Sequence, residues 1–165
     1  MIISNTSPIY YLQQLGRLDI LRDLFGRVVT TPQVRDELDA GQAQGLDVPD
    51  INALEWIDVR SVSVPPFLDL IGDLGKGESS ILALAVEHPG SRLIVDDHLA
   101  RDVAEDQEIK VTGTLGVLLL AKERGLIERI DGVMRQLLQH GFRCSRTLQT
   151  EILRLAEEVG SADDQ

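Results

Sequence analysis

The sequence predicts an α/β domain: a mostly parallel central sheet of four to five strands, flanked by helices. Three observations carry that prediction. Short apolar runs alternate with segments whose apolar residues recur at helical spacing, which implies crossover connections between parallel strands. Several of these runs end abruptly in Ser, Thr, Asn or Asp, the residues that open helices. The chain has 165 residues, 43% of them hydrophobic and 26% charged, values suited to one domain with a single core.

The elements follow in order. Residues 1–4 read as a buried strand, and Ser7-Pro8 then opens a helix that runs toward Gly16, with Ser7 accepting the first amides and Pro8 tolerated at the first helical position. Leu18, Leu21, Leu24 and Phe25 mark a second helix, ended by Gly26. Residues 28–30 form a second strand, and Thr31-Pro32 repeats the Ser-Pro grammar to open a helix closed by Gly41. After a loop rich in Gly, Asp and Pro, "EWIDVRSV" reads as a third strand or an edge segment. Gly75-Lys76-Gly77 precedes the helix "ESSILALAVEH". "SRLIVDD" is a buried strand ending in two acids, "HLARDVAEDQ" a short helix and "IKVTG" a strand. Three helices close the chain: "TLGVLLLAKERG", "IERIDGVMRQLLQH" and "SRTLQTEILRLAEEVG". The reading is one domain over residues 1–160, with a core to about 125, a helical extension from about 126 and a flexible tail at 161–165.

Composition removes several function classes. The net charge is −11 and the pI about 4.6, so bulk electrostatics cannot hold nucleic acid; any such contact is local, metal-mediated or helped by a partner. Aromatic residues are 4% of the chain, too few to suggest a stacking platform for single strands. Cys144 is the only cysteine, which fits a reducing cytoplasm, and neither a signal peptide nor a membrane span is expected. Gly75-Lys76-Gly77 lacks the spacing of a nucleotide-binding loop. No Ser/His or Cys/His nucleophile pair stands out, and Cys144 is expected away from the acids. His98 reads as a helix start.

In sheets of this class, sites form beyond the carboxyl ends of the strands. Asn5 and the Asp96-Asp97 pair both follow apolar strands. Adjacent acids repel unless something offsets their charge, so a metal ion and a cap-plus-solvent arrangement are both open readings there. Glu78 extends the apolar stripe of Ile81, Leu82 and Ala85 into the first turn of its helix, where an ordinary dipole-favoured acid is the alternative. Glu37 lies beside Val34 and Leu38, while Asp36 and Asp39 face outward; a solvated surface acid is the alternative reading of Glu37. Taken together, these oxygens suit a hard cation such as Mg²⁺ or Mn²⁺, which activates water in phosphodiester hydrolysis. Lys76 and Arg101 are placed either to meet a phosphate or simply to face solvent.

At these residues the chain resembles PIN-domain proteins, the fold of toxin ribonucleases of the VapC type. More narrowly, it is similar to a group of PIN-like proteins known only as a domain of unknown function. The resemblance spans nearly the whole chain and rests on "ISNTSPIYYLQQLGRLDILRDLFG", "TTPQVRDEL", "GKGESSILALA", "LIVDDHLARDVA", "VTGTLGVLLLAKERGLI" and "GFRCSRTLQTEIL". It implies a three-layer fold with extra C-terminal helices. It also implies a divalent-metal-dependent ribonuclease with Asn5, Glu37, Glu78 and Asp97 as its catalytic set and Thr6, Ser7 and Asp96 in support. Asn5, Glu78, Asp96 and Asp97 would be the metal ligands, with either Asp96 or Asp97 as the main one. The implied partners are RNA, an antitoxin protein and a second copy of the chain.

Asn5 departs from the pattern, since the family places an acid there. An amide oxygen can ligate Mg²⁺ but brings no charge. A catalytically weak module that binds RNA or an antitoxin is therefore the competing reading. A phosphoacceptor receiver and a dehalogenase-type phosphotransferase both need acids at the first strand, where this chain has Ser4-Asn5.

Overall fold

The computed structural model describes residues 1–158, so the tail expected at 161–165 lies outside the described residues. Five strands of three residues each are β1 (Ile2–Ser4), β2 (Val28–Thr30), β3 (Ile57–Val59), β4 (Arg92–Ile94) and β5 (Lys110–Thr112). All neighbours pair in parallel, in the order β3-β2-β1-β4-β5. Ile3, Val28, Val29, Leu93 and Ile94 are buried, as in parallel strands covered on both faces. Strand order reverses between β1 and β4, whose registered ends are Ser4 and Ile94, and that crevice is where such sheets bind ligands.

The helices are α1 (Thr6–Gln14), α2 (Asp19–Phe25), α3 (Pro32–Ala43), α4 (Pro66–Asp69), α5 (Lys76–Glu87), α6 (His98–Asp106), α7 (Thr114–Glu123), α8 (Ile130–Gln139) and α9 (Arg146–Leu155), with a 3₁₀ turn at Ile51–Ala53. Helix α5 packs on β1 and β4, with α3, α4 and α6 beside it. Helix α7 packs on β5 and gathers α1, α2, α8 and α9. None of the described helices is long and apolar enough to cross a membrane.

The structure shifts several boundaries, among them the start of α8, which lies at Ile130 and not at Ile127. Helix α1 starts at Thr6, so Asn5 and not Ser7 holds the cap position, yet the Asn5 side chain makes no cap bond: its Nδ2 donates to Glu78 and its Oδ1 accepts from no backbone amide. Helix α3 runs through Gly41 to Ala43. Leu46 and Val48 lie against the open side of Gly41, and the turn comes at Gly45, which has a φ of +86°. Helix α5 starts at Lys76, which places Gly77 inside its first turn. The Thr31-Pro32 expectation holds: Thr31 Oγ1 accepts from the Val34 amide at 3.3 Å and Pro32 opens α3.

The C-terminal helices are fastened by a long-range cap. Arg129 precedes α8 without capping it. Instead the Glu158 carboxylate accepts from the Ile130 amide at 2.9 Å and the Asp131 amide at 3.2 Å, and pairs with Lys122 Nζ at 3.0 Å. Its side chain is only 2% exposed. Burial pushes the carboxyl up, but the donated bonds from Ile130, Lys122 and Asp131 outweigh it and hold the group below its usual range. Glu158 thus ionises more readily in the folded chain. Its contribution is complete above the unfolded glutamate value of about 4.3 and fades as pH falls through the lower folded value. Glu158→Gln is expected to cost about 2 kcal/mol at pH 7, or about 4–8 °C in Tm. Thermal melts from pH 3 to 8 should show the gap to the native chain closing at the acid end.

Candidate functional site

The site is built from the ends of β1, β2 and β4 and the first turn of α5. Asn5 follows β1 directly and is 1% exposed. Its backbone amide donates to the Ile94 carbonyl at 3.0 Å, which anchors it to β4. Its Nδ2 donates to Glu78 Oε1 at 3.1 Å. Its Oδ1 is buried and has no hydrogen-bond partner. A buried carbonyl oxygen without a donor is costly, so Asn5 Oδ1 calls for a partner from outside the chain, a water or a cation.

Glu37 is exposed along α3, but its carboxylate turns inward. Oε1 accepts from the Gly77 amide at 3.1 Å, and Oε2 accepts from the Thr6 hydroxyl. This explains the Gly-Lys-Gly stretch. A Cβ on Gly77 would fall 2.7 Å from Glu37 Oε1, and one on Gly75 would collide with the Glu78 carboxylate. The two glycines give two carboxylates room beside the backbone. Lys76 between them is exposed. Ser7, in the first turn of α1, is partly buried.

The two aspartates divide their tasks. Asp96 is partly buried, and both its oxygens accept from Thr114, one from the amide and one from the hydroxyl, each at 2.7 Å. Burial raises its pKa against the opposing effects of the Thr114 bonds and of Arg101. Its ionised form therefore carries a folding cost that is relieved as pH falls through the raised value. Asp97 is exposed and caps α6, accepting from the Ala100 amide at 2.9 Å. Arg101 leans back from α6, its Nη1 donating to the Val95 carbonyl at 3.4 Å. A Cβ on Gly113 would meet Arg101 Nη1 at 2.8 Å and Asp96 Oδ1 at 2.9 Å, so the glycine leaves both groups their room.

A groove of about 770 Å³ opens beside Asp96, lined in part by Arg101, Phe142, Arg143 and Cys144. Cys144 therefore shares a groove with an acid of the site, contrary to the sequence expectation. The C-terminal connection folds back because the Phe142 ring packs edge-on to Tyr11, with centroids 5.1 Å apart. A smaller hollow beside Glu37 is lined by Thr6, Tyr10, Tyr11 and Leu46 among others.

The structure brings together Asn5 with Glu78, and Glu37 with Thr6 and Gly77. It keeps Asp96 on Thr114 and Asp97 at its helix cap. Among the described residues, no three His, Cys, Asp or Glu side chains gather closely enough to hold a metal ion. The oxygen-only donor set and the orphaned Asn5 Oδ1 beside a carboxylate fit one hard cation.

A family model described as a PIN domain matches residues 1–158. The chain belongs to the PIN-domain family. Its parallel sheet and flanking helices agree with the PIN-like α/β fold, and the family is of nuclease type. PIN domains generally use divalent metals and are associated with nucleic acid. No curated protein matches this chain.

Several features of this PIN domain are not visible from its acids alone. Thr114 as the partner of Asp96, the three close-approach glycines and a buried Thr31–Ser80 pair depend on close contacts that local patterns do not show. A faint signal existed for Thr114, since "VTGT" repeats the strand-then-hydroxyl grammar of "VVTT" at residues 28–31.

Proposed function

We propose that this PIN domain is a divalent-metal-dependent endoribonuclease of the toxin type that hydrolyses RNA phosphodiester bonds. The observation that carries this reading is the buried, unpartnered Asn5 Oδ1 next to Glu78, at the crevice where the strand order reverses. Asn5 and Glu78, with Asp96 or Asp97, would hold one Mg²⁺ or Mn²⁺ ion. Carboxylate oxygens that already accept one hydrogen bond retain a further lone pair for this. The bound ion would lower the pKa of water and offset charge on the scissile phosphate.

The chain's own residues do the rest. The Asn5 amide orients Glu78, and the Gly77 amide and the Thr6 hydroxyl fix Glu37 at the edge of the site. In this reading Ser7 orients water. Arg101 and Lys76 supply local positive charge for phosphates, which a chain of net charge −11 needs. An antitoxin protein and a second copy of the chain are the further partners, and the cytoplasm is the compartment.

RNA cleavage with Mn²⁺ or Mg²⁺ tests the proposal. The native chain should cut single-stranded RNA, and Glu78→Gln or Asp97→Asn should lower the rate by at least about 100-fold, beyond the loss seen for outer-shell ligand partners. Absence of cleavage with both ions across several RNAs overturns the enzyme. The reading would then pass to a binding module without turnover. One observation favours that alternative: Asn5 already gives Glu78 a hydrogen-bond donor that an ionised acid could not.

A further inference from the structure

The first turn of α5 holds two residues of the site at once: Gly77, whose amide binds Glu37, and Glu78, which binds Asn5. Behind it lies a chain of hydroxyls that no step of the proposed chemistry uses. Ser80 Oγ donates to the Gly77 carbonyl at 2.7 Å. Ser80 Oγ and Thr31 Oγ1 are 2.6 Å apart, and Thr31 Oγ1 accepts from the Val34 amide at 3.3 Å. Both side chains are fully buried.

The direction of the chain follows from counting protons. A hydroxyl has one hydrogen to donate. That of Ser80 goes to the Gly77 carbonyl, so that of Thr31 goes to Ser80. The order is Val34 N–H to Thr31, Thr31 to Ser80, Ser80 to the Gly77 carbonyl. Every member is satisfied, and in a buried setting such chains specify one arrangement. Gly77 is therefore held by α3 from both sides: Glu37 takes its amide, and Thr31 reaches its carbonyl through Ser80. The neighbouring Thr30 hydroxyl donates to the Ser4 carbonyl at 2.8 Å, which ties β2 to the residue before Asn5.

We propose that Thr31 and Ser80 are positioning residues that set the register of α5 against α3, and so the spacing of Glu37 from the Asn5–Glu78 pair. The part concerning turnover rests on the ribonuclease reading; the part concerning register does not. Two readouts on Ser80→Ala, Thr31→Val and the conservative Thr31→Ser separate them.

The first is the Gly77 amide by NMR on metal-free protein. Ser80→Ala and Thr31→Val should shift this resonance upfield as its bond to Glu37 lengthens and should cut its exchange protection about tenfold, equal to a loss of about 1.4 kcal/mol. Thr31→Ser should restore both. The second is RNA cleavage with Mn²⁺, where kcat should fall about 10–100-fold with KM unchanged, since small misplacements act on the reacting geometry.

An unmoved Gly77 amide in Ser80→Ala overturns the proposal, even if the variant melts at a lower temperature. A shifted amide with kcat unchanged overturns the positioning role. If the native chain itself cuts nothing, the ribonuclease reading has failed, and the metal-free NMR result alone decides the register. Should Thr31→Val not fold, Ser80→Ala supplies both measurements.

Discussion

Asn5→Asp is expected to make the stability of this PIN domain depend on a divalent ion. In the native chain the Asn5 amide donates to Glu78 Oε1 at 3.1 Å inside a site where Asn5 is 1% exposed. Aspartate removes that donor and sets a second carboxylate against the first. Losing a hydrogen bond to a charged group and setting like charges together costs about 3 kcal/mol, so in chelator at pH 8 the Tm should fall by about 10 °C. Saturating Mn²⁺ should recover most of the loss, because an ion at 100 times its Kd stabilises by about 2.7 kcal/mol.

Acid should help as well. The crowded pair takes up a proton more readily in the folded chain than in the unfolded one, so the variant gains stability relative to the native chain as pH falls from 8 to 5. Melts in chelator and in Mn²⁺ across that range check all three effects. An Asn5→Asp protein that melts like the native one in chelator would remove the Asn5–Glu78 bond as the reason for the amide.

Gly77→Ala should separate stability from activity. Alanine favours a helix over glycine by about 1 kcal/mol. Its Cβ would nevertheless lie 2.7 Å and 2.8 Å from the two Glu37 oxygens, so the carboxylate must leave its place. The gain and the loss offset each other, and the Tm should move by less than about 3 °C. Cleavage should fall by about 100-fold, the expected scale for displacing a positioned group by about 1 Å. Gly72→Ala is the control, because a Cβ there meets nothing within 4 Å. Equal activity of the two variants would show that the position of Glu37 does not matter.

The strands and helices were legible because each is announced locally. The runs around Ile3, Val29 and Leu93 are apolar on both faces, and Thr31-Pro32 caps a helix wherever it occurs. The helix expected to open at Ser7-Pro8 starts at Thr6 instead, and local grammar cannot show that the residue in its cap position, Asn5, bonds Glu78 73 positions away. Gly41 likewise reads as a helix end, but its missing Cβ makes room for Leu46 and Val48 and the helix continues past it.

The candidate site divides along the same line. Asn5, Glu37, Glu78 and the Asp96-Asp97 pair stand out in the sequence because each follows a strand or opens a helix, and the order of the elements brings strand ends to one edge. What each oxygen does was decided only by tertiary structure. Asp96 and Asp97 are neighbours in the chain, yet one binds the start of α7 and the other caps α6. Glu37 reads as a surface acid until Gly77 and Thr6 approach it. By itself the sequence determined the fold, through apolar periodicity, and the chemistry available, an oxygen-rich crevice short of one charge. The tertiary structure decided which oxygens are spent on the fold and that Asn5 Oδ1 is not, because hydrogen bonds and close approaches of this kind depend on distances between elements that no local pattern encodes.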